Sequence, residues 1–177
     1  DVTWPVTEGP AGMDAALERL CREADVALAE GTNILILSDR AVSAERVAMP
    51  SLLAVAAVHH HLVREGTRLQ AGLVVESGET RSVHSVATLI GYGAAAVNPY
   101  LMLETVGELV ALGWLPDGMT AAQAKLRAVK GLGKGLLKTL SKMGISTIPS
   151  YCGAQIFEAV GLSPQLVDRH FTGTASR

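Results

Sequence analysis

Apolar side chains recur at steps of three and four near the start of the chain, which is the spacing of one helix face. The pattern runs from Gly12 to Glu30 and predicts a helix that ends at Gly31. The segment that follows, residues 33–39, is a continuous apolar run closed by polar residues. Such a run is typical of a strand buried on both faces of a parallel sheet. The chain therefore opens with a predicted helix and a predicted buried strand.

The same alternation of helix and strand patterns continues along the chain. The predicted elements are a helix from Pro50 to Arg64, a strand at 71–76, a helix at 81–90, a strand at 94–98 and a helix from Pro99 to about Leu112. This order predicts a parallel sheet with right-handed crossovers. A closed eight-stranded barrel needs about 250 residues, so 177 residues supply only part of one. We predict an α/β fold, an incomplete (β/α) barrel-like parallel sheet with flanking helices, in a single partial domain over residues 1–177.

The last third of the chain is less regular. After a turn at 114–118, Thr120 can cap a helix that reaches about Lys130. Glycines at 131, 133 and 135 predict an interruption, after which a second helix reaches Lys142 and ends at Gly144. We also predict a weak strand at 145–148 and a short helix at 153–160, whereas the pattern at 167–171 fits either type.

An open sheet edge is a further consequence of a partial barrel. An apolar strand such as the one at 34–37 would pair with other chains if its edge were exposed. We therefore expect further polypeptide to cover it, either from the same gene or from a partner such as a second copy in a homo-oligomer.

Composition narrows the class of protein. The chain is 49% apolar and 18% charged, which excludes general disorder. Its longest apolar stretches fall far short of the roughly 18 residues of a membrane span, and no signal peptide is visible at the N-terminus. Two widely separated cysteines, Cys21 and Cys152, suit a reducing compartment. We predict a cytoplasmic protein with no membrane contact.

The charge of the chain is unevenly distributed. The net charge of −2 argues against general nucleic-acid binding. Between Asp117 and Glu158 there is no acidic residue, and this interval carries +6 while the rest carries −8. Four of its lysines are spaced by four residues and would form a stripe on a helix, namely Lys130, Lys134, Lys138 and Lys142. The stripe is interpreted either as a solvated face or as a surface that docks on an acidic domain or subunit.

Polar residues close the predicted strands, where ligands gather in parallel α/β sheets. These residues are Asp39, Arg40, Glu76 and Asn98. They form either a site or a network of ion pairs and hydrogen bonds that ties the loops together. Because no nucleophile and base are paired in the sequence, we favour the network.

Three other features suggest chemistry but do not complete a motif. The glycines at 131, 133 and 135 could hold an anion at a helix start, although they match no nucleotide-binding fingerprint. The run from His59 to His61 cannot converge on one ion, because successive helical residues point about 100° apart. Cys152 could be a nucleophile near a helix N-terminus, but a small buried residue is the simpler interpretation.

Several long segments resemble the central domain of the glutamate synthase large chain. They are LSDR at 37–40, PSLLAVAAVHHHLVREG at 50–66, VVESGE at 74–79, LIGYGAAAVNPY at 89–100, KGLLKTLSKMGIST at 134–147 and SYCGAQIFEAVG at 150–161, and the ending FTGT at 171–174 resembles the passage into the flavin domain. One departure is at His84, which is followed by Ser85 and Val86 where the family often has His and Phe. The resemblance covers nearly the whole chain.

The resemblance implies a portion of a larger enzyme. That enzyme hydrolyses glutamine, passes ammonia internally, and converts 2-oxoglutarate through 2-iminoglutarate to glutamate with reduced FMN. It also carries an iron-sulfur cluster. In the family the central domain binds no flavin, joins the glutaminase and FMN domains and helps to frame the ammonia tunnel. We therefore expect a non-catalytic scaffold without a cofactor or metal of its own. The alternative is a self-contained phosphate- or flavin-binding α/β enzyme that uses the turn between Gly131 and Gly135.

Overall fold

A computed structural model describes all 177 residues of the chain. The helices are α1 (Gly9–Ala29), α2 (Ser51–Arg64), α3 (Val83–Gly91), α4 (Tyr100–Ala111), α5 (Ala121–Lys142), α6 (Ile148–Tyr151) and α7 (Pro164–His170). The strands are β1 (Thr3–Pro5), β2 (Ile34–Ser38), β3 (Arg46–Ala48), β4 (Gly72–Glu76), β5 (Ala96–Asn98), β6 (Glu158–Ala159) and β7 (Ala175–Ser176). From α1 to α4, each predicted element is present with its ends within three residues of the prediction, close to the usual scatter of one or two residues at element ends.

The central sheet is parallel and has the strand order β2, β4, β5. Leu35 pairs with Leu73, and Val74 pairs with Ala96. Helices α2 and α3 each lie between two of these strands in the chain, as crossover helices do. The fold is therefore α/β, a short barrel-like parallel sheet with flanking helices. Strands β1 and β3 form a separate antiparallel pair, and β6 and β7 a parallel one.

Only one face of the sheet is covered. Leu35, Leu37 and Leu73 point toward the helices and belong to the main core. Ile34 and Ile36 point the other way, and each is 59% exposed. The prediction that this strand is buried on both faces is wrong for this chain, because side chains alternate between faces and helices pack on one face only. An apolar sheet face is left open beside the free edges of β2 and β5.

The predicted break at Gly131–135 is also wrong. Helix α5 runs without interruption from its cap at Thr120 to Lys142. Thr120 Oγ1 accepts a hydrogen bond from the backbone N–H of Gln123, and the Gln123 side chain accepts one from the backbone N–H of Thr120. Gly135 sits where α5 crosses α3, and a Cβ there would overlap the side chain of Val83. The glycine at this position serves close helix packing rather than a turn.

The segment after Gly144 differs from the prediction. Residues 145–147 form no strand, and a helical turn, α6, begins after Thr147, whose hydroxyl accepts from the backbone N–H of Ser150. The helix predicted at 153–160 is absent, because Gly153 and Gln155 both have positive φ, at 74° and 54°. The segment contains β6 instead. The pattern left open at 167–171 belongs to α7.

No helix of this fold combines the length and the apolar character that crossing a bilayer requires. The predicted cytoplasmic location stays a prediction.

Candidate functional site

A hydrogen-bond network centred on Glu76 occupies the carboxyl ends of the three parallel strands. Glu76 is the last residue of β4, and its Oε2 accepts a hydrogen bond from Ser38 Oγ at the end of β2, at 2.6 Å. Its Oε1 accepts from Asn98 Nδ2 at the end of β5, at 3.2 Å. Arg40 Nε lies 2.8 Å from the same Oε1. One carboxylate therefore links all three strands.

Asp39 ties together the loops beyond the strands. Its side chain is almost fully buried, with 5% of the residue exposed. Both carboxylate oxygens accept from the backbone N–H of Gly78, at 3.0 and 2.8 Å. Tyr100 closes this region, since a Cβ on Gly78 would lie 3.0 Å from its hydroxyl oxygen. Burial, and then the nearby Asp39, raise the pKa of Tyr100.

Arg40 extends the network to the surface. Its guanidinium carbon lies 3.9 Å from the centre of the Tyr100 ring, a favourable cation–π arrangement. Its Nη1 also lies 3.6 Å from Oε1 of Glu104 on α4. Arg40 therefore holds the first turn of α4 against the end of β2.

The electrostatics of the network favour a structural role. The hydrogen bonds from Ser38 and then Arg40 hold the pKa of Glu76 below its ordinary value of 4.5. Glu76 is therefore charged at neutral pH, and both of its oxygens already accept hydrogen bonds. A general acid must carry a proton at the working pH. The structure thus brings the four predicted residues Asp39, Arg40, Glu76 and Asn98 together, in an arrangement whose polar groups satisfy one another.

The predicted lysine stripe is a continuous exposed face of α5. All four lysines, Lys130, Lys134, Lys138 and Lys142, are exposed, and no lysine of the chain forms an ion pair within 4 Å. Leu126 and Leu137 lie on the same helix and are 55% and 65% exposed. The opposite side carries the buried Leu136 and Leu140. Helix α5 therefore presents a basic face with an uncovered apolar flank.

The alternative of an anion site at Gly131, Gly133 and Gly135 is wrong. All three glycines lie inside α5. Free N–H groups occur only in the first turn of a helix, and inside it each N–H donates to the carbonyl four residues earlier. This segment therefore offers no phosphate cradle.

The reactive side chains outside the network have separate surroundings. His61 Nε2 lies 2.8 Å from Asp25 Oδ2 on α1, whereas His59 Nδ1 faces Arg68 Nε at 2.9 Å. Cys152 follows the carboxyl end of α6, so the alternative of a nucleophile near a helix N-terminus is wrong, and the residue is partly buried. Burial raises the pKa of the Cys152 thiol, and a protonated thiol is a poor nucleophile.

Comparison with known proteins identifies the family. The family model described as glutamate synthase central domain matches residues 1–163. The chain belongs to the glutamate synthase central domain family. The resemblance carried by its sequence segments is thereby confirmed.

Relatives in this family are much longer than this chain. The chain is 48% identical over 177 residues to glutamate synthase [NADH] of Schizosaccharomyces pombe, a match that covers 100% of the chain and 8% of that protein. It is 46% identical to the glutamate synthase [NADPH] large chain of Bacillus subtilis and 46% identical to a ferredoxin-dependent glutamate synthase of Oryza sativa. Each of these two matches covers 93% of the chain and 11% of the relative. The chain therefore spans about a tenth of the relatives' length.

A solved structure supports the fold class. The crystal structure of DHODH from Eimeria tenella in complex with ferulenol superposes with a TM-score of 0.50 at 20% identity. The match covers 79% of this chain and 35% of that one. A likeness at this identity concerns the fold alone.

The central domain contains a cavity that the sequence pattern does not predict. It lies at the amino end of the sheet and is lined in part by His59, Tyr92 and Gln155. The run from His59 to His61 cannot share one metal ion, and nothing else in the sequence indicates a cavity beside it. The partner of His59, Arg68, lies nine positions along the chain, in a short 3-10 turn at Arg68–Gln70 that carries no motif, so no local signal marks the pair.

Proposed function

We propose that this chain is the scaffold and interdomain section of a glutamate synthase and performs no reaction of its own. Family membership supports the proposal. Further support comes from the relatives, whose names specify NADH, NADPH and ferredoxin at similar identities of 46–48%. A segment that is similar in enzymes with different electron donors suits a role independent of the donor.

In this proposal the chemistry belongs to the rest of the enzyme. The glutaminase domain releases ammonia, and the FMN domain uses it to make glutamate from 2-oxoglutarate, with the iron-sulfur cluster as part of the electron path. The central domain holds none of these groups. It joins the two catalytic domains and keeps their sites in register, so that ammonia passes between them.

The Glu76 network is the observation that carries the proposal. In barrel enzymes the carboxyl end of the strands carries the catalytic residues. Here the polar groups at that end bind one another, with Glu76 accepting from Ser38, Arg40 and Asn98. A closed network of this kind holds loops in place and leaves no group free to react.

The uncovered surfaces suit a section of a larger assembly. The face that carries Ile34 and Ile36 is apolar and open, and we propose that further chain of the same enzyme packs on it. A second copy of the chain in a homo-oligomer is the other occupant. In a single copy of the complete enzyme, further chain of the same enzyme would cover this face, whereas an oligomer contact would leave it exposed to solvent.

We extend the proposal to the lysine face of α5. Its charge is uncompensated within the chain, and like charges spaced by four residues along a helix repel one another. An acidic surface on a neighbouring domain would relieve this repulsion, and Leu126 and Leu137 would lie at the margin of the contact. We propose that Lys130, Lys134, Lys138 and Lys142 dock on such a surface.

The scaffold role is tested in the complete glutamate synthase by replacing Glu76 with Ala. We expect each half-reaction, glutamine hydrolysis and ammonia-dependent glutamate formation, to stay within about threefold of wild type when assayed alone, since a structural change acts on neither chemical step directly. The ratio of glutamine consumed to glutamate formed should rise above that of wild type. Loss of one half-reaction in a folded variant would assign Glu76 to catalysis and contradict the proposal.

The alternative of a self-contained flavin enzyme is tested on the chain alone. We expect it to remain colourless after incubation with excess FMN and gel filtration. Flavin absorbance equimolar with the protein in the protein peak would contradict the scaffold proposal.

The lysine face is tested by the double variant Lys134→Glu and Lys138→Glu in the complete enzyme. In wild type the ratio of glutamine consumed to glutamate formed should rise with salt, because salt screens charges over about 10 Å at 0.1 M and would weaken the contact. Charge reversal should raise this ratio already at low salt and remove its dependence on salt. The matched control is Lys134→Arg with Lys138→Arg, which keeps the charge and should behave as wild type. Equal behaviour of both double variants would remove the lysines from the interface.

A further inference from the structure

A cavity of about 170 Å³ lies at the amino end of the parallel sheet, opposite the Glu76 network. Its walls come from the second half of α2, the end of α3, the loop after α6 and the segment after α7. A cavity of about 150 Å³ is large enough to admit benzene. The space therefore suits a molecule with one six-membered ring.

His59 presents a hydrogen-bond donor whose position is fixed by Arg68. The guanidinium of Arg68 donates to His59 Nδ1 at 2.9 Å, to the carbonyl of Ala71 at 2.6 Å and to the carbonyl of Gly93 at 2.9 Å. A guanidinium has no acceptor. His59 Nδ1 must therefore accept, so the proton of the neutral ring is on Nε2.

The neutral form of His59 persists over the ordinary pH range. Burial, and then the charge of Arg68, lower its pKa to about 4. The ring makes its one hydrogen bond within the chain through Nδ1, so Nε2 has no partner there. Gly93 permits this packing, because its φ is +113° and a Cβ there would overlap Nδ1 of His59.

Gln155 supplies a second polar group. It is the one non-glycine residue of the chain with a positive φ, at 54°, a conformation that strains most side chains. Its amide fits against Gly173, where a Cβ would overlap Nε2 of Gln155. The side-chain amide makes no hydrogen bond within the chain, and the residue lines the cavity. It is therefore available to a ligand.

The remaining walls include the aromatic rings of Tyr92, Tyr151 and Phe157 and carry no negative charge. Tyr92 and Phe157 are stacked with centroids 6.0 Å apart and planes at 27°. Tyr92 is held by a 2.6 Å hydrogen bond between its hydroxyl and that of Thr174. No aspartate or glutamate lines the cavity, while the cation of Arg68 lies directly behind His59. A flat apolar body with an anionic end therefore fits better than a cation.

We propose that this cavity binds a small aromatic carboxylate. The ring lies against Tyr92 and Phe157, and the carboxylate accepts hydrogen bonds from His59 Nε2 and from the side-chain amide of Gln155. The site is independent of the proposed scaffold role, because it lies at the other end of the sheet and shares no residue with the Glu76 network.

Benzoate is the probe that tests the proposal, measured by ligand-observed NMR and calorimetry on the 177-residue chain. We expect saturable binding with a dissociation constant of about 1 mM or tighter, in keeping with a ligand of this size. Benzamide, which lacks the charge, and cyclohexanecarboxylate, which lacks the flat ring, should each bind more weakly. Absence of saturation up to about 20 mM, or equal binding of all three probes, would overturn the proposal.

Two variants locate the site. Gln155→Leu removes the amide at an exposed position and should weaken benzoate binding about tenfold. His59→Phe keeps a ring and removes the hydrogen-bond donor, so it should also weaken benzoate binding. Circular dichroism checks that this variant folds. The matched control is Gln165→Leu, the same substitution at an exposed position of α7 that does not line the cavity, which should leave the dissociation constant unchanged. An equal loss in the control, or no loss in a folded Gln155→Leu chain, would refute the assignment.

Discussion

The two ends of the parallel sheet use polar residues in opposite ways. At the carboxyl end, Glu76 accepts from three donors, and both oxygens of Asp39 accept from one backbone N–H. At the amino end, Arg68 is fixed by hydrogen bonds to two backbone carbonyls and donates a third to His59 Nδ1, while the other ring nitrogen of His59 remains without a partner. The first arrangement is closed and stabilises loops. The second is open and presents a donor to a cavity, so the two ends should respond differently to mutation and to pH.

The closed end predicts the largest effect, for Asp39→Ala. The substitution removes the acceptor of the Gly78 N–H in a buried position, and it should lower the free energy of unfolding by about 2–3 kcal/mol. Urea denaturation followed by circular dichroism measures the change. Asp39→Asn keeps one acceptor oxygen and should cost clearly less. A cost below about 0.5 kcal/mol for the alanine variant would mean that the end of the sheet is not closed as described.

Helix packing near the same end predicts a somewhat smaller effect. Gly135→Ala places a methyl group against Val83 and should cost about 2 kcal/mol, as overpacking does. Gly133→Ala on the same helix meets no atom within 4 Å and should stabilise by about 0.5–1 kcal/mol, because alanine favours helix. Thermal or urea unfolding of the pair compares them directly. The same sign for both would contradict the contact at Gly135.

The open end predicts a pH dependence between about 4 and 6.5. The folded pKa of His59 is about 4 and its ordinary value is 6.5, so the unfolded chain takes up the proton first as the pH falls. Stability is fully retained above pH 6.5 and should decline on acidification to pH 4. The full shift would correspond to roughly 3 kcal/mol, but the ring is partly exposed and screened by solvent, so we expect about 1–2 kcal/mol. His59→Gln should flatten this part of the pH profile. NMR titration of the ring is a direct check, and a midpoint near 6.5 would refute the buried, neutral histidine.

We expect the smallest effect on the free energy of unfolding from Glu76, at lower pH. Its folded pKa lies below the ordinary value of 4.5, so its contribution is present above that pH and is lost as the pH falls through the folded value. The residue is partly exposed, so we expect less than about 1 kcal/mol. Unfolding curves of wild type and Glu76→Gln between pH 5 and 3 should converge at the acid end. Parallel curves would show that the carboxylate gains nothing from Ser38 and Arg40.

The first two thirds of the fold could be read from the pattern of side chains. Helices α1 and α2 and strands β2 and β4 are long, periodic segments bounded by Gly31, Pro50 or Gly66, so local preference and tertiary structure agree. In α5 they conflict, because three glycines in five residues disfavour helix. Packing on α3 and the cap at Thr120 outweigh that preference. Between residues 145 and 160 the elements are only four and two residues long, which is too short for a pattern of side chains to predict them.

The candidate site could be predicted in part. The carboxyl ends of parallel strands meet at one edge, which predicts that Asp39, Arg40, Glu76 and Asn98 lie close together, and the structure does bring them together. The tie from Asp39 to Gly78 and the position of Arg40 over Tyr100 were not foreseen. Both depend on the path of loops, which periodicity does not describe.

The amino-acid sequence by itself determined the α/β class, the family and the basic charge of α5, because periodicity, long similar segments and composition are properties of the chain read in order. The tertiary structure alone decided that one sheet face is left open, that Glu76 joins three strands, and that His59 and Gln155 share a cavity. These outcomes depend on residues that are distant in the chain, such as Gln155 and Gly173 or His59 and Gly93. Their contacts arise only when helices and loops pack, so the energies that select them are absent from any local pattern.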